Sequence, residues 1–377
     1  MAGSHFTLPD VNAEALQSLP SPSLLVFADV VRSNIDRMIA VAGDAERLRP
    51  HCKTHKMPGV IQLLHDRGIR RHKAATIAEC EMLATAGAED VVLAYNPVGP
   101  NVARVIGLAK TFSATEFTVT ADHEGPLKQL SQASAAAGQD IGVLLDIDVG
   151  LRRTGVDVHS PQARELFRLI HSLPAVKARG FQVYDGHQHQ QSFDDRRQAV
   201  EETWQAVLKL QQDCESCGCP VEEILCGGTP TFPVYAQMNH PGIRLSPGTS
   251  VFHDAGYGDA FPDLGFRPAA AVLTRVISRP TADRITLDVG NKAIAADPVG
   301  QRAYFPEIPD ARQLLHNEEH MVLQTAAVAN YQPGDVLLAI PTHICPTSAL
   351  HTAAIVIENG QPTESWQVVA RDRRLTI

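Results

Sequence analysis

No run of about 18 apolar residues occurs in the 377-residue chain, which leaves out a membrane-spanning helix and any membrane partner. The first residues, Met-Ala-Gly-Ser-His-Phe-Thr, show no charged segment followed by an apolar one, so a soluble cytoplasmic protein is the expectation. Positive charge is in deficit. The 33 Lys and Arg stand against 42 Asp and Glu, a formal net charge of −9, and no basic stripe breaks that balance. Nucleic acid is therefore not an expected partner, because its binding rests on clustered Lys and Arg that neutralise phosphates. Cysteine is scarce and odd in number: seven residues favour reduced thiols over a disulfide framework. Low-complexity segments are missing as well.

Three of the cysteines, Cys214, Cys217 and Cys219, have zinc-like spacing. They lack a fourth ligand nearby and end a helix on the side away from where βα units place chemistry, so a structural metal is not expected there.

What the chain does have is an ordinary soluble composition, 44% hydrophobic and 20% charged, and a length that allows two or three domains or one barrel with an appendage. From residue 24 onward apolar strands alternate with amphipathic helices. Strands are expected at 24–30, 47–55, 72–76, 90–96, 116–121, 141–149, 178–184, 223–226 and 243–252. About eight such units make a parallel barrel, whereas a doubly wound sheet stops at five or six. After Tyr257 the helical period fades into short β-like runs at 270–277, 284–289, 336–340, 353–358 and 366–370. The expected fold class is α/β: a TIM-like (β/α)8 barrel over residues 24–256, and a mostly β domain built from 257–377 with residues 1–23.

In such a barrel the reactive groups end the strands. Residues 49–56 read Arg-Pro-His-Cys-Lys-Thr-His-Lys. In an extended segment His51, Lys53 and His55 share a face, which sets an amine between imidazoles. Schiff-base chemistry uses a lysine in such surroundings, though a basic strand end at the surface has the same composition. Two small-residue turns lie late in the barrel, Cys226-Gly-Gly-Thr-Pro230 and Ser246-Pro-Gly-Thr-Ser250, where backbone amides and hydroxyls can take a phosphate. An early lysine with a late phosphate cup suggests pyridoxal 5′-phosphate. In the second domain His343 and Cys345, two apart on an expected extended segment, could hold one ion; thiolate with imidazole favours zinc over manganese or magnesium. Taken alone, that pair more often means a buried thiol beside a core histidine. Glu319, His320 and His351 are further polar candidates.

Six motifs in order resemble the D-threonine aldolase and D-serine dehydratase family, pyridoxal-phosphate enzymes with a fold similar to alanine racemase. They are Arg49 to Lys56, Asp148-Val-Gly-Leu-Arg-Arg153-Thr-Gly-Val156, Gln182-Val-Tyr184-Asp-Gly-His187, Gly227-Gly-Thr-Pro-Thr231, Asp288-Val-Gly-Asn-Lys-Ala293 and His343-Ile-Cys-Pro-Thr347. The resemblance implies that Lys53, with His51 beside it, carries the cofactor as a Schiff base and that Arg153 and Tyr184 line it. It implies a phosphate held by Gly227, Gly228, Thr229, Gly248 and Thr249, and a divalent ion held by His343 and Cys345 beside the hydroxyl of a small β-hydroxy-D-amino acid. A homodimer is implied too, each barrel facing its partner's β domain.

The leading expectation is retro-aldol cleavage of D-threonine to glycine and acetaldehyde, with His189 or a water as base. Dehydration of D-serine or D-threo-3-hydroxyaspartate is the alternative; a racemase or a non-catalytic cofactor carrier would have no use for the metal pair. The family's aldolases often carry a carboxylate where this chain has Cys345, and its dehydratases a cysteine. The loop from Tyr184 to His189, followed by Ser192-Phe-Asp-Asp-Arg196, looks closer to the aldolase branch.

Overall fold

Parallel pairing organises segments Met38–Lys53 and Leu64–Gly248 of the computed structural model, in which residues 6–377 are described. Strands Arg71–Ala74, Asp90–Leu93, Glu116–Ala121, Ile141–Asp148, Val176–Val183, Glu223–Cys226 and Ile243–Leu245 lie side by side in chain order. Residues 48–51 join the first of these to the last. Leu48 bridges Leu245 and His51 bridges Lys73; the Arg49 N–H donates to Leu245 O at 2.7 Å and the Lys73 N–H to Pro50 O at 3.0 Å. The curled sheet is thereby tied into a ring of parallel staves, the expected α/β barrel, and a mostly β unit accompanies it.

The staves form because their side chains are buried on both faces. Ile141–Asp148 is buried along all but its last residue, and the whole of Asp90–Leu93 and Glu223–Cys226 is buried. Val92, Leu144 and Leu225 pack together. Since Lys73 is in register with Val92, alternation turns Lys73 to the same side as that cluster and His72 to the other, where its Nε2 lies 3.1 Å from His65 Nε2. Gly180, at φ +137°, is required by the close approach of two strands: a Cβ there would lie 1.9 Å from Glu223 O. Outside the sheet, helix Pro161–Ser172 begins at the Ser160 cap with proline in its first turn. Its Ala163, Leu166, Phe167 and Ile170 form one buried stripe, and Phe167 meets the Phe181 ring edge-on at 4.9 Å.

Segment 24–30, expected to open the barrel, belongs elsewhere. It divides into strand Ser23–Phe27 and the start of helix Ala28–Ala42, and the strand pairs in the other sheet. A strand buried on both faces has the same unbroken apolar run in either sheet, so hydrophobicity could not assign it. A second difference lies at the lysine. Cys52–Thr54 is a 3-10 turn, so the expected alternation of His51, Lys53 and His55 on one face is broken.

The other unit contains residues up to Arg37, Thr54–Leu63 and Thr249–Arg371. Its sheet runs Arg312–His316, Met321–Gln324, Arg284–Leu287, Ala270–Thr281, Ser23–Phe27, Ala353–Glu358 and Gln361–Gln367, with Val336–Pro341 added to Ala270–Thr281 and Ala303–Tyr304 to Val336–Pro341. The strand expected at 366–370 is displaced to Gln361–Gln367, and Arg312–His316 was not expected at all. Both are partly or fully exposed for most of their length and carry little apolar signal. His343 is the cap residue of helix Ile344–Leu350, not part of an extended run. Among the described residues no helix is long and apolar enough to cross a membrane.

Candidate active site

The C-terminal ends of the staves surround a cavity of about 260 Å³ whose lining includes His51, Lys53, Lys73, Tyr95, Arg153, Gln182 and Tyr184. Lys53 projects from the 3-10 turn that follows the stave at 48–51, and its N–H donates to His51 Nδ1 at 3.3 Å. Two cations lie near the Tyr184 ring: the Arg153 guanidinium is 5.0 Å and the Lys73 ammonium 5.6 Å from its centre. Below them Gln182 donates to buried Asp146 at 3.1 Å. Burial raises the Asp146 pKa, against hydrogen bonds from Thr154 and Gln182. Lys73 is 5% exposed, and its pKa is lowered to about 8, first by burial and then by the charge of Lys53. The sequence-expected residues Lys53, His51, Arg153 and Tyr184 thus share one cavity. His189 does not join them; it is exposed on the loop after Tyr184 and is absent from the lining.

The late turns are shaped by hydroxyl groups. Gly227 has φ +76°, and a Cβ on it would lie 3.1 Å from Phe232 Cα, so the turn needs glycine. A Cβ on Gly228 would come within 3.3 Å of the Tyr184 ring, leaving the backbone open beside the cavity. The Gly228 N–H donates to Thr231 Oγ1 at 3.0 Å, and that hydroxyl donates to buried Asp185 at 2.9 Å. The Gly248 N–H donates to Thr229 Oγ1 at 3.2 Å. Asp185, held protonated more readily by burial, was not among the expected site residues.

Pyridoxal phosphate fits this arrangement. The lining carries three cationic side chains and no carboxylate, and Gln182 Oε1 is buried without a hydrogen-bond partner. A planar, anionic guest answers the charge, and glycine backbone beside hydroxyls is phosphate-binding chemistry.

In the β unit, His343 and Cys345 do come together, although on a helix start. Cys345 Sγ lies 3.2 Å from Thr54 Oγ1 and 3.6 Å from Thr249 Oγ1. Asp297 Oδ2 lies 2.6 Å from His343 Nδ1. Burial alone would depress His343, but hydrogen bonding to Cys345 and Asp297 outweighs it and raises the pKa to about 9. Asp254 caps the helix Ala255–Ala260 and also accepts the Ile344 N–H at 3.0 Å, which fixes the turn that presents both groups. Thiolate and imidazole, with a carboxylate orienting the ring, are a zinc-type donor set with its supporting partner. Asp297 was missed because it lies 46 residues from His343 and no local motif marks it. Elsewhere the cysteines at 214, 217 and 219 end a helix with one thiol exposed and two buried, and His351 Nε2 donates to Ala293 O at 2.9 Å.

Comparison with known proteins follows the same lines. Residues 27–255 match the family model described as alanine racemase, N-terminal domain, and residues 269–357 the one described as putative serine dehydratase domain. The barrel and its β unit therefore define an alanine-racemase-type protein. A D-threonine aldolase of Arthrobacter sp is 30% identical over 370 residues, 96% of each chain. A D-threo-3-hydroxyaspartate dehydratase of Delftia sp. (strain HT23) is 22% identical over 94% of this chain and 98% of its own. The crystal structure of D-threonine aldolase from Filomicrobium marinum superposes with a TM-score of 0.88 at 26% identity, covering 94% of this chain and 97% of that one. The chain belongs to the D-threonine aldolase and D-serine dehydratase family.

Proposed function

We propose that the protein is a pyridoxal-phosphate- and divalent-metal-dependent lyase that cleaves β-hydroxy-D-amino acids, D-threonine giving glycine and acetaldehyde. The observation that carries this is the cavity in which Lys53 stands with Arg153 and Tyr184 and no carboxylate. Pyridoxal phosphate, when bound, supplies a sink for the electrons released at the substrate's α carbon. Lys53 would be the residue that holds it, and its amine, when free, would move a proton at that carbon. Arg153 would balance the cofactor's negative charge, and Tyr184 would offer it an aromatic face in the same cavity. The turns that contain Gly227, Gly228, Thr229, Gly248 and Thr249 would hold the phosphate, their shape fixed by the Thr231 and Thr229 hydroxyls that accept the Gly228 and Gly248 N–H groups. His343 and Cys345 would hold the ion, zinc by the softness of the thiolate, which supplies Lewis acidity to a hydroxyl.

The dehydratase reading has one feature in its favour, a cysteine, Cys345, at the proposed metal position. Incubation with D-threonine separates the two: acetaldehyde with glycine is expected, whereas 2-oxobutanoate with ammonia and no acetaldehyde would overturn the aldolase reading. Thorough chelation should remove most turnover, and zinc should restore it. Undiminished turnover after metal removal overturns the role given to His343 and Cys345.

Thr231 tests the phosphate turn. Thr231→Val removes the acceptor of the Gly228 N–H and the donor to Asp185 together. An orphaned buried polar group costs about 1–3 kcal/mol, so cofactor retention should weaken by roughly tenfold, read as the pyridoxal-phosphate Kd. An unchanged Kd would place the phosphate elsewhere.

A further inference from the structure

The barrel interior holds a second lysine at the same cavity as Lys53, and neither composition nor motif points to it. Lys73 is buried, and among the described residues its ammonium has no hydrogen-bond partner and no ion pair within 4 Å. The charges that act on it are Lys53, Arg153, Asp146 and the Cys226 thiol. Asp146 is the one ordinary counter-charge; it accepts a hydrogen bond from Gln182 and is itself absent from the cavity lining. A buried cation without a partner is expensive unless a guest supplies the anion. Burial and Lys53 have already moved Lys73 part of the way to neutrality, to about 8, which is the response of an ammonium waiting for a counter-ion.

Pyridoxal phosphate carries its ring hydroxyl ortho to the aldehyde. A group that shares a cavity with the lysine taking the aldehyde therefore also shares it with that oxygen. We propose that Lys73 is the counter-ion of the ring oxide beside the aldehyde of bound pyridoxal phosphate, a positioning residue for the Schiff base on Lys53; this rests on Lys53 being the cofactor lysine. Lys73 is suited to the task by its place: a stave fixes its backbone, the Lys73 N–H is tied to Pro50 O, and its ammonium lies 5.6 Å from the centre of the Tyr184 ring in the cavity that also holds Lys53.

The test compares Lys73→Met, Lys73→Gln and Lys73→Arg with the unchanged protein, each reconstituted with pyridoxal phosphate and no substrate. The visible band of the protonated Schiff base is followed as pH rises, and the cofactor Kd is measured alongside. Removing a positive neighbour lets the Schiff-base nitrogen keep its proton to higher pH, so the midpoint should rise by about one unit in the Met and Gln variants. Their Kd should rise about tenfold or more. Arg should restore both. An unchanged midpoint and Kd in Met and Gln overturns the proposal, as does an Arg variant shifted as far as Met. Unchanged cofactor properties with a raised KM would assign Lys73 to the substrate carboxylate instead, and also overturns it. If near-ultraviolet circular dichroism shows Met unfolded, the Gln and Arg pair decides. A band lost in Lys73→Met but kept in Lys53→Ala would make Lys73 the covalent lysine, which is failure of the Lys53 assignment and not of the counter-ion alone.

Discussion

Lys53→Ala should leave a folded protein that shows no visible Schiff-base absorbance with pyridoxal phosphate and has lost lyase activity by on the order of 10⁴-fold or more, the scale on which removal of a covalent catalytic group falls. The fold should survive because Lys53 contributes little to the core. It is half-buried, it follows the last bridged residue of its stave, and the hydrogen bond to His51 is made by its backbone, which alanine keeps. Two measurements check this: an absorbance spectrum with excess cofactor, and a thermal melt. A retained visible band would move the Schiff base to another amine, with Lys73 the first to examine. A collapsed melt would instead say that the 3-10 turn depends on the lysine side chain.

The lysine was legible because it stands between two histidines near an expected strand end in a chain whose βα rhythm is regular, and strand ends are where a barrel gathers chemistry. Lys73 was equally close to a strand end but hidden. Its neighbours in Arg71–Ala74 are polar or basic, so the strand itself reads weakly, and only its register against Val92 turns it inward. Asp185 and Asp297 act through contacts between distant segments, with Thr231 and His343 respectively, and long-range pairing leaves no periodic trace. The fold was legible for a related reason and failed for a related reason. Continuous apolar runs announced parallel staves, yet Ser23–Phe27 has the same run and joins the other, mixed sheet, antiparallel to Ala270–Thr281 and parallel to Ala353–Glu358. The peripheral strand Arg312–His316 went unseen because an exposed edge carries no burial pattern to read.

Arg49→Ala should cost about 3–5 kcal/mol of stability, the usual penalty for removing one member of a buried ion pair, and lower the melting temperature by roughly 10 °C. Arg49 is 1% exposed. Its Nη2 lies 2.8 Å from Asp90 Oδ2 and 3.1 Å from Glu223 Oε2, carboxylates that begin the strands two places to either side of the 48–51 stave. Arg179 reaches the same pair only at 3.5 and 3.8 Å and is itself drawn to Glu116 and Glu222, so it cannot replace what Arg49 provides. The pH dependence gives a second check. Burial raises the folded-state pKa of Asp90 even with Arg49 present. Such a group adds stability below its unfolded pKa and loses it as pH rises through the folded value. Without Arg49 the folded value rises further, so the deficit of the variant should shrink as pH falls toward the ordinary carboxylate range. Replacing all three charges together, Arg49→Met with Asp90→Leu and Glu223→Leu, should recover much of the loss, because an apolar trio leaves no charge unpaired. A single Arg49→Ala variant as stable as the unchanged protein would mean that water solvates Asp90 and Glu223 from the polar cavity at the strand starts. The octapeptide then has two tasks set by one geometry. A stave from 48 to 51 has its start among buried carboxylates and its end at the cavity, so Arg49 neutralises the first and Lys53 is delivered to the second.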